Sequence, residues 1–313
     1  MPGIGIITNP HAKLNKQNPQ RQELLSYIAG KAGKLKKTNT IKALRSAAAE
    51  FREQSIDILA ISGGDGTISK TLSTFIQTYQ DKPLPSIAIL GGGTVNTLAE
   101  NLSIKGPPEK NLYRLLELHA STQPPPVISL HCLKVENNYG FLFADGLCVQ
   151  FLKTFYKKKT DALGATALVI KLLWSQLFST SLFEKIVTQE FVSISSKKEI
   201  EVAHNTCNTL CSTIKNMPLG IPFFLGIDVN KAFFECISIT CKPRNLSWKY
   251  LPKALIYSAS HKKEHLHFCS KKLTLTKEKP FFYTLDGELY ETTSKILNVA
   301  LGPKLTFILI NQK

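Results

Sequence analysis

Residues 59–70 read LAISGGDGTISK: a short apolar run, three glycines around a single aspartate, then a segment with helical spacing. Glycines placed directly after a buried strand let the backbone turn sharply and let a ligand approach the main chain. The helix that follows offers unpaired N–H groups and the positive end of its dipole to an anion. A second stretch, IAILGGGT at 87–94, repeats the arrangement one unit later. One such loop is as often a tight connection as a ligand site; two in consecutive units point to a polyphosphate. Neither loop has the G-x-G-x-x-G spacing, and no G-K-[ST] follows a glycine loop, so the dinucleotide fingerprint and the Walker A loop are both excluded. Asp65 would repel a phosphate unless it handles a cation, so it is expected to hold, through water, the Mg²⁺ that accompanies a nucleotide.

Working outward, GIGIIT (3–8), IDILAI (56–61) and SIAIL (86–90) read as short, almost wholly apolar strands. Helical spacing lies between and after them at 18–33, 41–54, 67–79 and 94–102. That alternation predicts a parallel sheet covered on both faces, with ligands beyond the carboxyl ends of its strands, where the glycine loops lie. The proline run STQPPPVIS (121–129) breaks the pattern. Beyond it, runs such as SLHCLKV, YGFLFA, FVSIS, FFECISITC, LHFC, KLTLT and FILI predict antiparallel strands, interrupted by a helix near 161–187. The expected fold is therefore α/β plus β. An N-terminal parallel-sheet nucleotide domain (1–125) precedes a C-terminal antiparallel β-rich, sandwich-like domain (126–313), whose last strand is a candidate to return to the first domain.

The 313 residues carry 39 Lys and Arg against 23 Asp and Glu, a net charge of +16, so an anionic partner is expected. No helix-turn-helix, zinc-finger or RNP-type pattern appears, and the basic residues fall in short clusters (34–37, 157–159, 262–263). Nucleic acid is therefore not expected as a partner, and diffuse attraction to an anionic membrane surface is. Seven cysteines, an odd number without C-x-x-C spacing, argue against a disulfide framework and against zinc. The start, MPGIGIITNP, lacks a basic region followed by a long apolar stretch, so a cytoplasmic location is expected.

Gly63-Gly64-Asp65-Gly66-Thr67 resembles the glycine-rich signature of the diacylglycerol kinase catalytic family, which also includes sphingosine, ceramide and bacterial lipid kinases. Further along the chain, TNP at 8–10, Thr38, GGGTVNTLAENL at 91–102, FYTLDGELYE at 282–291 and LGPKLTFIL at 301–309 resemble the family's other segments, in order. The resemblance implies an ATP- and Mg²⁺-dependent transfer of phosphate to a lipid hydroxyl, with the protein peripherally attached to the membrane. It assigns Asn9, Thr38, Gly63, Gly64, Gly66, Thr67, Gly92, Gly93, Thr94 and Asn96 to the nucleotide. Catalysis falls to Asp65, Asp286 and Glu288, with Asp286 the base and Glu288 a metal or nucleotide contact. Phosphoryl transfer needs positioned phosphates, a neutralising metal and a carboxylate near the attacking hydroxyl, and these residue types supply all three. Asp286 and Glu288 are expected on one side of a strand; the competing reading is an Asp-Gly β-turn.

Similar glycine signatures occur in NAD kinases and phosphofructokinases, but the Asn-Glu pair of NAD kinases is absent from this chain. Where many members of the resembled family carry acidic residues, this chain has Lys70, after Ser69, and Thr97 and Ser129. An NAD kinase-like enzyme and a non-catalytic nucleotide- or lipid-binding relative therefore stand as alternatives, and Glu100 is a candidate to replace a lost carboxylate. An apolar helix candidate, LGATALVIKLLWSQLFSTSLF (163–183), follows YKKKTD (156–161) and suits docking on an anionic bilayer, although such helices are more often core.

Overall fold

The computed structural model describes residues 3–12, 15, 18, 20–93, 96–157, 190–196, 200–239 and 265–311. The first half alternates β1 (Ile4–Thr8), α1 (Arg21–Ala29), β2 (Gly33–Lys37), α2 (Ile41–Glu53), β3 (Ile58–Gly63), α3 (Asp65–Tyr79), β4 (Ser86–Gly92), α4 (Thr97–Asn101) and α5 (Pro108–Ala120). Strands β2, β1, β3 and β4 pair in parallel, in that order. Alternation within these apolar strands sends side chains to both faces. Ile4, Ile6, Ala60, Ala88 and Leu90 meet Leu25 of α1 with Leu112 and Leu115 of α5, while Ile7, Leu59, Ile61, Ile87 and Ile89 meet Phe51 of α2 with Leu72 and Phe75 of α3.

β2 was not expected: its sequence, GKLKK, reads as the tail of a helix followed by a solvated lysine cluster. It forms because a sheet edge tolerates lysine. Lys34 and Lys36 there both reach Glu50 of α2, and those two ammonium groups pull the Glu50 carboxyl down to about 2.

The second half runs through β5 (Val127–Val135), β6 (Asn138–Gly140), β7 (Leu142–Ala144), α6 (Leu147–Lys157), β8 (Glu190–Ser196), β9 (Ile200–Thr206), β10 (Asn208–Ser212), β11 (Asn216–Met217) and β12 (Ile221–Pro222). It continues through β13 (Phe234–Ile239), β14 (His265–Ser270), β15 (Lys272–Thr276), β16 (Phe282–Leu285), β17 (Glu288–Glu291) and β18 (Ile296–Ile308). Helix α6 had been hidden by the β-like texture before it. The helix expected near 161–187, with its apolar stretch 163–183, lies outside the described residues.

Two antiparallel sheets face each other over a dry core. Leu133, Val192, Ile194, Leu273 and Val299 come from one, and Phe143, Cys211, Phe234, Tyr283 and Leu285 from the other. The first of these sheets is continuous with the parallel one through β18. That strand pairs with β15 along its first part, with β5 from Val299 to Ile308, and reaches β4 at its end, in parallel, with Phe307 opposite Ile87. Its register shifts between Leu301 and Lys304, at Gly302-Pro303. Proline gives no ladder N–H and belongs at such a bulge. Gly302 is needed there because a Cβ would lie 2.7 Å from Cys132 Sγ. The buried pair Lys277 Nζ and Asp145 Oδ2 (2.9 Å) lies in this β-rich half, with Asp145 Oδ1 also accepting from Thr209 N at 2.6 Å.

Candidate active site

The two glycine loops end β3 and β4, and they pack backbone on backbone. A Cβ on Gly93 would lie 2.3 Å from Gly64 Cα, and one on Gly64 would lie 3.1 Å from Gly93 Cα. A Cβ on Gly92, which sits at φ 126°, would lie 3.2 Å from Gly63 N, so both loops need bare main chain to nest. Asn96 locks the second loop: its Oδ1 accepts from Gly93 N and its Nδ2 donates to Gly93 O, at 3.1 and 3.0 Å. In the first loop, Thr67 Oγ1 accepts from Asn9 Nδ2 at 3.1 Å, which ties Asn9 at the end of β1 to the start of α3. Thr38, just past β2, donates its N–H to Thr8 O, so it stands at the same edge of the sheet. Under the loops, Ser62 Oγ and Asn15 Oδ1 are buried without a hydrogen-bond partner among the described residues. Thr94 lies outside the described residues.

Asp65 opens α3, where a carboxylate is favoured by the helix dipole. It also serves the other loop. Asn96 gives α4 no side-chain cap, and Asp65 takes its place, accepting from Thr97 N at 3.0 Å and Leu98 N at 3.5 Å. Burial pushes the Asp65 carboxyl up to about 6, against the pull of those Thr97 and Leu98 bonds.

Asp286 and Glu288 do not lie along one strand. They flank Gly287 in the tight turn between β16 and β17, where Leu285 pairs with Glu288 and both Asp286 (φ 50°) and Gly287 (φ 84°) have positive φ. Asp-Gly is the pair that such a primed turn requires, and the turn wins over the extended reading. It nevertheless sets Glu288 over the first glycine loop and brings Asp286 within electrostatic reach of Asp65. Asp286 Oδ1 accepts from Phe141 N and Leu142 N, each at 2.9 Å, and its Oδ2 lies where a Cβ on Gly140 would come within 2.4 Å. Burial pushes the Asp286 carboxyl up to about 7, the two amides oppose that rise, and the nearby Asp65 charge adds to it. Glu288 lies over the first loop: a Cβ on Gly66 would meet Glu288 Oε1 at 2.2 Å. Its Oε2 accepts from Lys70 Nζ at 2.7 Å.

Sequence reasoning missed this Lys70 partner, the capping role of Asp65, and the Phe141 and Leu142 amides. It missed, too, the seam by which Ser69 Oγ and Ser73 Oγ on α3 donate to Tyr139 O. Only the spacing of Ser69 and Ser73, one helical turn apart, carried a signal for the seam. Ser129 bonds Thr306 Oγ1 on β18 through its Oγ, at 3.2 Å, and Thr97 is the buried first residue of α4. Among the described residues no group of three His, Cys, Asp or Glu is arranged to hold a metal by itself, and Glu100 completes none. No helix among them is long and apolar enough to cross a membrane.

A family model, the diacylglycerol kinase catalytic domain, matches residues 4–124, the part that carries both glycine loops. No curated protein matches the chain. Among solved structures, a diacylglycerol kinase from Bacillus anthracis str. Sterne is similar over 98% of this chain and 96% of its own, with a TM-score of 0.67 and 14% identity. A second structure from that organism, provisionally assigned as a diacylglycerol kinase, is similar over the same shares, at a TM-score of 0.72 and 15% identity. At such identities the likeness carries the fold: a parallel-sheet domain joined to an antiparallel β-rich one. The nested glycine loops with their aspartate lie wholly inside the matched segment, so the part of the chain that carries the candidate site is the part similar to the diacylglycerol kinase catalytic domain.

Proposed function

We propose that this protein transfers the γ-phosphate of ATP to the hydroxyl of a lipid. The observation that carries the reading is the Asp286 carboxylate, buried, raised to about 7 and neighbouring Asp65 beside the two nested glycine loops. A carboxylate that titrates near neutrality is suited to accept a hydroxyl proton as the oxygen attacks.

In this reading the main chain of Gly63, Gly64, Gly66, Gly92 and Gly93 cradles the phosphates, with Asn9, Thr38, Thr67 and Asn96 shaping the cradle. Bare main chain at the start of two helices suits phosphate oxygens. Two neighbouring buried carboxylates, Asp65 and Asp286, suit a divalent cation that keeps most of its ligands from water and phosphate. When bound, Mg²⁺ neutralises charge on the transferring phosphoryl group. Asp286 takes the proton of the acceptor hydroxyl at its Oδ2, while Phe141 N and Leu142 N hold its Oδ1. Asp65 keeps the second loop's helix pinned to the first. Glu288, tied to Lys70, covers Gly66. The division near residue 125 then separates the half that carries the nucleotide loops from the half that brings the base, and the lipid enters between them from an anionic membrane surface.

One observation favours a second reading, a relative that binds nucleotide or lipid without turnover. Lys70, Thr97 and Ser129, where carboxylates were expected, are each absorbed by local structure. Radiolabelled γ-phosphate from Mg-ATP, offered with a panel of lipids in mixed micelles and with NAD, separates the two. Label in a lipid, lost in Asp286→Asn and Asp65→Ala, supports the kinase. Lipid or ATP bound without any label refutes it.

A further inference from the structure

Beside the glycine loops, and lined by none of their residues, lies a cavity of about 590 Å³. Its walls come from α2, α3, the β5–β6 hairpin and β17, and they include Arg45, Lys70, Lys134, Gln77, Tyr139 and Tyr290. Three cations from three separate elements face one concavity, and no acidic side chain lines it. The adjacent Glu288 is already engaged by Lys70, whereas Arg45 and Lys134 form no ion pair among the described residues. A cleft lined by one sign of charge concentrates counter-ions of the other.

The walls are held before anything enters. Ser73 Oγ accepts from Tyr139 N at 2.9 Å, Ser69 and Ser73 donate to Tyr139 O, and Gln77 Nε2 donates to Asn137 O at 2.5 Å, fixing the hairpin against α3. Tyr290 stacks on Tyr283 with ring centroids 5.3 Å apart. Burial, with the charges of Glu288 and Asp286, pushes its hydroxyl up to about 12, so it stays a donor.

We propose that this cavity binds a phosphate-bearing anion through Arg45, Lys134 and Lys70. The guanidinium fork and two ammonium groups match several phosphate oxygens at once, which a carboxylate offers less well. The inference stands apart from the kinase reading, because binding here needs neither turnover nor the glycine loops. The anion's source is a lipid headgroup or a soluble phosphate compound.

The test is equilibrium dialysis with radiolabelled pyrophosphate, alongside sedimentation with phosphatidylcholine vesicles containing or lacking phosphatidic acid. Both use the full chain, native and with Arg45→Gln and Lys134→Gln combined. Both positions are exposed, and thermal midpoints check that the variant folds. We expect the neutral pair to weaken binding about tenfold or more, as loss of charge-assisted bonds does, and Arg45→Lys with Lys134→Arg to retain it. Pyrophosphate bound in solution identifies a soluble ligand; binding only to phosphatidic acid vesicles identifies a headgroup. Three results overturn the proposal: no binding of either probe, equal binding by native and neutral-pair protein, or equal loss in the charge-keeping pair.

Discussion

Replacing Asp286 by asparagine removes the charge while keeping an oxygen that accepts from Phe141 N and Leu142 N, so the two effects of the carboxylate separate. A rise from 3.8 to about 7 corresponds to about 4 kcal/mol of unfavourable ionisation in the folded state. The sign follows from proton linkage. The folded protein binds this proton more tightly than the unfolded chain, so the stability linked to it is fully present below about pH 4 and is lost as pH rises to about 7. The asparagine variant has no such dependence. Its stability relative to native protein should be about equal near pH 4, gain roughly 1.4 kcal/mol per pH unit, and level off about 4 kcal/mol ahead above pH 7. Urea unfolding of both proteins at half-unit steps from about pH 4 to 8 measures the gap, and contributions from Asp65 and other groups common to both largely cancel. A variant less stable than native at pH 8, or a gap that does not change with pH, would refute the account of Asp286. Phosphoryl transfer should be lost in the same variant.

The same carboxyl predicts that kcat/KM for phosphate transfer rises tenfold per unit up to about pH 7 and is flat above; a profile flat through that range removes Asp286 as the base. Two glycine substitutions should differ. Gly93→Ala drives a Cβ to 2.3 Å from Gly64 Cα, against main chain, and should lower stability by about 1–3 kcal/mol in denaturant unfolding. Gly66→Ala meets only the end of Glu288, which can swing aside. It should cost under about 1 kcal/mol, because the Lys70–Glu288 pair is partly exposed, while reducing activity. Lys277→Met strands the buried Asp145 carboxylate and should cost about 3–5 kcal/mol, most of it recovered when Asp145→Asn is added; an additive double variant would contradict that.

What the sequence made legible follows from what is local. The largely apolar runs 56–61 and 86–90 read as buried strands, and glycines directly after them mark the loops, so half of the site could be located from spacing. β2 could not, because GKLKK has the composition of a solvated turn and becomes a strand only when β1 offers it an edge. The Asp-Gly pair at 286–287 carries its turn openly in its residue types. The partners of Asp65 and Asp286 were illegible for another reason. They are main-chain amides of Thr97, Leu98, Phe141 and Leu142, and an amide leaves no mark on residue identity. Lys70 against Glu288 is a contact across 218 positions, which a single sequence does not record.

The strand β18 has a consequence for how the chain comes to be. It is the neighbour that β4 requires, and it lies more than two hundred residues downstream. As synthesis proceeds from the amino end, every helix and strand of the parallel layer emerges while that edge of β4 still lacks its partner. An open apolar edge in a half-made chain is a template for the wrong pairing. The glycine loops at its tip therefore wait on a segment made more than two hundred residues later, and the chain depends until then on slow, long-range closure or on a chaperone to keep that edge clean.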